Sequence, residues 1–305
     1  MLALDRKAVR KRAVLSRQPS AKILVATAGD ADSKGALHVA AELARTRPTS
    51  VIALGIALPF PHTVPTLIAP KTPASLDEDG RTRVFAEMQV TLADVPGAEG
   101  WAKRAVVGWP ADVINSAAAT WKASLIVLGL GHHGRADRVF GTETAVVVIK
   151  RARVPVLAVS TTARGLPTRA CAAVDFTDAS LSSAALAASL LADDGTLMIV
   201  HACAFKGVKS REGDLVDLYR SGARAKLDET VAELRRRTHR KVEGHMIEGE
   251  PGEAILAYAS REGCDLIALG GHEQGLLERI LLGSVRTRVV RGAKCSVLIS
   301  PPDAS

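Results

Sequence analysis

Two stretches of this 305-residue chain concentrate the residue types that hold phosphate. One is GGHEQGLLERILLGS, residues 270–284, and the other is GLGHHGRADRVFGT, residues 129–142. Glycine lets backbone N–H groups approach an anion with no Cβ in the way. The closing Gly283-Ser284 and Gly141-Thr142 pairs each open a helical pattern, and a helix N-terminus favours negative charge. A third candidate is Asp175, an acid directly after the apolar run AAV. It serves either as a ligand contact or as an acceptor for loop amides at the start of the following helix.

Other chemistries fit these residues less well. Gly129, Gly131 and Gly134 match the dinucleotide-binding spacing, but that fingerprint belongs after a first strand and is followed by an acid about 20 residues on. Here Lys150 and Arg151 occupy that region. No phosphate-loop motif ending in Gly-Lys-Ser/Thr is present. His132, His133 and His272 lack the spacing and third ligand of a metal site. His201 reads as a structural histidine. Ser284 has no general base placed beside it, and a helix cap accounts for it. The four cysteines, Cys171, Cys203, Cys264 and Cys295, form no C-x-x-C pair and sit in or beside apolar runs, as buried free thiols do. No acid/base or nucleophile constellation marks an enzyme.

The elements that position these residues come as a repeat. ASLIVLG at 123–129 recurs as CDLIALG at 264–270, and VVGWPADVINSAAA at 106–119 echoes IEGEPGEAILAYAS at 247–260. The first strands pair at a larger offset, ILVATAGDADS at 23–33 with ACAAVDFTDAS at 170–180. The first half therefore carries extra residues, which the reading places in the Pro-rich stretch Pro59–Pro73. A period this long means duplicated domains. Each half alternates short apolar strands with crossover-length helices. Strands are predicted at 22–28, 51–57, 102–107, 124–129 and 154–160, then at 170–175, 196–202, 242–248, 265–270 and 295–299. Helices are predicted near 32–46, 78–94, 110–122 and 138–151, then 179–193, 212–238, 252–263 and 276–291. The expected fold is α/β: two tandem domains, each a five-stranded parallel doubly wound sheet with flanking helices. Domains are placed at 19–161 and 168–302, with the linker 162–167 short enough for the two to pair.

Composition sets the outer limits. The formal net charge is +8, but residues 1–18 hold six basic residues against one acid, so a basic flexible tail precedes a near-balanced body. Aromatic residues make up 3%, too few for a base-stacking surface, so a nucleic-acid partner is not expected. No apolar run reaches membrane-spanning length, and a soluble cytoplasmic protein is expected.

The glycine loops, the preceding LIxLG strands and the final VPVL-type strand together resemble the universal stress protein family in its tandem two-domain form. That family carries G-x2-G-x9-G-[ST] after its fourth strand and an Asp ending its first. The resemblance spans about 19–161 and 168–302. It implies stress-response proteins, commonly dimeric, some of which bind ATP. In the second half, Asp175 matches the adenine-side acid, and Gly270, Gly283 and Ser284 match the phosphate motif. Thr177, Ala202 and Val285 complete the implied nucleotide contacts. Glu273 stands where the second motif glycine belongs and sets a carboxylate against a triphosphate. In the first half Ala28 replaces the Asp, and the loop is one residue shorter. Two functions follow from this reading: a regulator that binds ATP or another adenine nucleotide weakly in its second domain, or a non-nucleotide interaction protein acting through domain pairing and partner docking.

Overall fold

The computed structural model describes residues 21–27, 33–60, 72–131, 141–204, 213–271 and 285–301. They group into two units, Gln18–Gly165 and Leu166–Ser305. The basic tail lies outside the described residues.

The first unit runs β1 (Ala21–Thr27), α1 (Lys34–Thr46), β2 (Thr49–Ala57), α2 (Pro73–Ala93), β3 (Ala102–Val107), α3 (Pro110–Thr120), β4 (Leu125–Leu130), α4 (Thr142–Arg151) and β5 (Val156–Ser160). All its strand pairs are parallel, in the order 3-2-1-4-5. β4, with sequence LIVLGL, is buried at every position, because helices cover both faces. The second unit repeats this with β6 (Arg169–Ala173), α5 (Asp178–Leu190), β7 (Thr196–Cys203), α6 (Gly213–Thr238), β8 (Lys241–Glu248), α7 (Pro251–Arg261), β9 (Leu266–Leu269), α8 (Val285–Gly292) and β10 (Ser296–Ile299). Its order is 8-7-6-9-10, again parallel throughout. In each unit the winding reverses beside the first strand, between β1 and β4 and between β6 and β9. Ligand crevices of open α/β sheets lie there, at the carboxyl ends of the strands.

Several sequence expectations shift. α2 begins at Pro73 rather than near 78, because the Thr72 side chain caps it and Pro73 occupies its first turn, where no N–H is needed. α5 begins at Asp178, capped by Thr177. β6 ends at Ala173, so Asp175 follows the strand instead of closing it. The first unit's extra length falls in the β2–α2 connection, 58–72 against 204–212 in the second unit. The predicted helix at 276–291 is described only from Val285.

The repeat also preserves its joints. Ser124 donates through its amide at 2.8 Å and its hydroxyl at 3.0 Å to the carbonyl of Lys22, tying the entry of β4 to β1. Asp265, its counterpart, donates its amide to the Arg169 carbonyl at 3.0 Å. Its carboxylate then accepts from the Thr168 amide and hydroxyl, both at 2.8 Å, and from the Arg169 amide at 3.0 Å. Gly108 and Gly249 both have positive φ and lead into a proline-started helix, α3 and α7.

Candidate functional site

The second unit's crevice is built on the turn after β6. The Val174 amide still donates to the Val200 carbonyl at 2.8 Å; beyond it the chain leaves the sheet. The Asp175 carboxylate accepts from the Thr177 amide at 3.1 Å and hydroxyl at 2.5 Å. The same Thr177 hydroxyl accepts from the Ser180 amide at 3.3 Å, capping α5. The Ser180 hydroxyl donates to the Thr177 carbonyl at 2.9 Å. Asp175 is exposed and Thr177 half-buried. This local hydrogen bonding holds an exposed carboxylate at the mouth of the crevice.

Between them, Phe176 is forced into the left-handed region at φ 63°. Such a backbone costs energy in a bulky residue and persists only where its surroundings hold it. Here the ring rests on His201, with centroids 4.6 Å apart, while Lys226 Nζ lies 5.8 Å from the same ring. His201 is buried at the end of β7, 6% exposed. Its Nδ1 is 2.8 Å from the Val174 carbonyl oxygen, which can only accept, so Nδ1 carries the proton. In the neutral ring Nε2 then accepts from the Tyr219 hydroxyl at 2.9 Å. A phenol is protonated at neutral pH and can donate; burial, then Cys203, raise Tyr219 further above its ordinary pKa. One histidine thus links β6, β7 and α6 beneath the Asp175 turn. Neither Phe176 nor Tyr219 was a sequence candidate. The signal available was His201 itself, but its partner sits 18 residues on, across a connection and on a helix.

Gly270 closes the crevice from the other side. A Cβ there would lie 2.4 Å from the Ser180 amide nitrogen and 2.6 Å from the Ala179 carbonyl carbon. The carboxyl end of β9 is therefore pressed on the first turn of α5. That contact brings Gly270 beside the Asp175–Thr177 turn. Ala202, half-buried, follows His201 on β7 one strand over. Val285 is half-buried at the start of α8. Gly283, Ser284, Glu273 and His272 lie outside the described residues; of the residues expected at phosphate, Gly270 and Val285 are described.

In the first unit, Thr142 donates to the Gly131 carbonyl through its amide at 3.2 Å and its hydroxyl at 2.9 Å. Gly131 and Thr142 are thus tied together, with Gly141 preceding α4. His132, His133 and Gly134 fall outside the described residues, as does Ala28. Thr27, last residue of β1, is fully buried.

A separate cleft of about 460 Å³ opens between α6 and the ends of β7 and β8. Cys203, Met246 and Glu248 line it with Arg220, Ser221 and Arg224 of α6. Arg220 pairs with Glu248 at 2.6 Å, and Arg224 with Asp228 at 3.1 Å, so the wall carries little uncompensated charge. Among the described residues, no group of three or more metal-binding side chains is assembled and no helix is long and apolar enough to cross a membrane.

Comparison with known proteins agrees with this architecture. The model of the universal stress protein family matches residues 20–160 and again 168–301. A universal stress protein of Methanocaldococcus jannaschii is 44% identical over 59 residues, which span 19% of this chain and only 35% of that relative. One of Mycobacterium tuberculosis is 30% identical over 131 residues, spanning 41% of this chain and 90% of the relative. The crystal structure of a universal stress protein from Archaeoglobus fulgidus superposes with a TM-score of 0.60 at 18% identity. It covers 92% of this chain and 98% of that one, a likeness of fold.

Proposed function

The chain belongs to the universal stress protein family, and from that premise we propose that it is a stress-response regulator whose second domain, 168–302, binds an adenine nucleotide weakly. The observation that carries this reading is the contact between Gly270 and the first turn of α5. It sets the backbone after β9 beside the Asp175–Thr177 turn, at the point where the winding of the sheet reverses. Asp175 and Thr177 face the nucleoside, with Ala202 backing the base. Gly270, Gly283, Ser284 and Val285 offer backbone and hydroxyl groups to ribose and phosphate. Glu273 opposes the outer phosphates. Two unit charges about 6 Å apart at an effective dielectric near 20 repel by roughly 3 kcal/mol, less when solvated. AMP and ADP are therefore favoured over ATP. The first domain, 19–161, lacks the acid and takes no part.

Isothermal titration calorimetry with AMP, ADP and ATP tests the reading. Binding should weaken in that order, be lost in Asp175→Ala, and strengthen for ATP in Glu273→Gly. Tight ATP binding that Asp175→Ala leaves unchanged would show the site is elsewhere. If no nucleotide binds even to Glu273→Gly, the interaction-protein reading replaces this one. Leu215, Leu218 and Tyr219, all exposed on the first turns of α6, are the feature that favours it.

A further inference from the structure

The turn that presents Asp175 is strained, and one buried side chain holds it from inside the protein. The peptide between Val174 and Asp175 is clamped at both ends. Its carbonyl accepts from His201 Nδ1 at 2.8 Å, and its amide donates to the Ser180 hydroxyl at 3.3 Å. The next residue, Phe176, sits at φ 63°, a conformation that a bulky side chain keeps only where its surroundings enforce it. The enforcing contact is again His201, whose ring centroid lies 4.6 Å from that of Phe176. Tyr219 of α6 completes the support. By donating to Nε2 at 2.9 Å it leaves the ring proton on Nδ1, where it bonds the Val174 carbonyl.

The first unit is an internal control. The repeat sets Ala28 at the position of Asp175 and Gly29 at the position of Phe176. Gly55 is level with Thr27 on the neighbouring strand, and continuing the Ala173–Val200 register by one residue makes His201 level with Val174. Thr27 and Val174 are equivalent in the repeat, so Gly55 stands where His201 does. A Cβ at Gly55 would lie 2.8 Å from a methyl of Val84, so α2 leaves no room there for a ring. Both units nevertheless build a parallel sheet with the same strand order. The fold therefore requires neither the histidine nor the phenylalanine, and the half that lacks the acid lacks both. They act on Asp175.

We propose that His201 is a positioning residue of the nucleotide site, with Tyr219 setting its tautomer. This rests on the reading of the second domain as an adenine-nucleotide site. His201 acts through Asp175 and keeps the turn in the conformation that binds. A site that holds its competent form only part of the time binds more weakly by that fraction. Without the ring and its hydrogen bonds, Phe176 relaxes and Asp175 turns with it. Strain of this kind leaves the competent turn populated about one time in ten, so affinity falls about tenfold.

The test is calorimetric titration of AMP into the full chain, at a temperature where urea curves show each variant folded. His201→Ala should weaken AMP about tenfold. Tyr219→Phe frees the ring to move its proton to Nε2 and should weaken AMP about fivefold, the strength of one such hydrogen bond. Phe176→Gly added to His201→Ala should restore most of the affinity, because glycine takes φ 63° without strain. The urea midpoint of that double variant should stay low, since the aromatic packing is not restored. A residue that merely stabilised the fold would give no such split between affinity and stability. If His201→Ala fails to fold, Tyr219→Phe decides. AMP binding unchanged in either single variant, or a loss that Phe176→Gly does not relieve, overturns the positioning role and leaves the nucleotide reading standing. No AMP binding by the wild type overturns the nucleotide reading and the positioning role with it.

Discussion

The Tyr219 hydroxyl stands 2.9 Å from Nε2 of His201, and that contact joins α6 to the turn that carries Asp175. The other ring nitrogen holds the Val174 carbonyl, and the ring supports Phe176 in its strained conformation. Tyr219→Phe leaves the buried Nε2 without its donor while keeping the aromatic surface. It should cost about 1 kcal/mol, the net worth of one such bond, in urea denaturation. An unchanged midpoint would mean that α6 is not anchored through this pair.

Gly270→Ala should be among the more damaging small substitutions. The added methyl meets backbone atoms of Ala179 and Ser180, not the flexible end of a side chain, so α5 or β9 must move. Overpacking of this kind costs roughly 1–3 kcal/mol. Gly222→Ala on α6, where a Cβ meets nothing within 4 Å, is the matched control and should be neutral or stabilising. Equal melting temperatures for the two variants would contradict the close approach.

Asp265→Ala removes an acceptor that serves two amides and a hydroxyl at the entry to β6. Hydrogen bonds to a charged group are the stronger kind, and the amides lose their partner together. A loss of about 2–3 kcal/mol is expected from chemical denaturation. Ser124→Ala, the corresponding change in the first unit, removes only a hydroxyl bond and should cost about 1 kcal/mol or less.

Tyr258 should give the protein an alkaline weakness. Burial first, then the charges of Cys171, Glu262 and Cys264, hold its phenol well above the ordinary 10. Below about pH 10 it is protonated in both folded and unfolded chains and contributes no pH dependence. Above that, only the unfolded chain releases the proton, so stability falls as pH rises, by up to about 1.4 kcal/mol per unit. Tyr258→Phe should flatten this fall between about pH 10 and 12, with no loss at neutral pH because the buried hydroxyl has no protein partner to lose. Parallel denaturation curves for both proteins across that range would contradict it.

Much of the architecture was legible from the chain alone. Parallel strands buried on both faces read as plain apolar runs, so LIVLGL and LIAL stood out, and their recurrence disclosed the duplication. Element ends were less legible, because caps set them. The Thr72–Pro73 start of α2 was written in the sequence, yet the helix is exposed along most of its length and its apolar spacing gave no guide. Asp175 was legible as a carboxylate near a strand end. Its role as an acceptor for loop amides was one of the two expectations, and Thr177 supplies that amide. The left-handed Phe176 resting on His201 was not legible, because that contact joins residues from different elements and no local pattern encodes it.

The cysteines mark the same boundary most clearly. As letters they are scattered, form no C-x-x-C pair, and read as inert buried thiols. The strand order 7-6-9-10 makes neighbours of β6, β9 and β10, although their sequence positions are far apart. Parallel winding then brings the amino-terminal ends of all three strands to one edge, and with them Cys171, Cys264 and Cys295. Local sequence determined which segments became strands, through burial and period. Which strands lie side by side was decided by the packing of helices across the sheet, and that choice gathered three scattered cysteines at one end of one sheet.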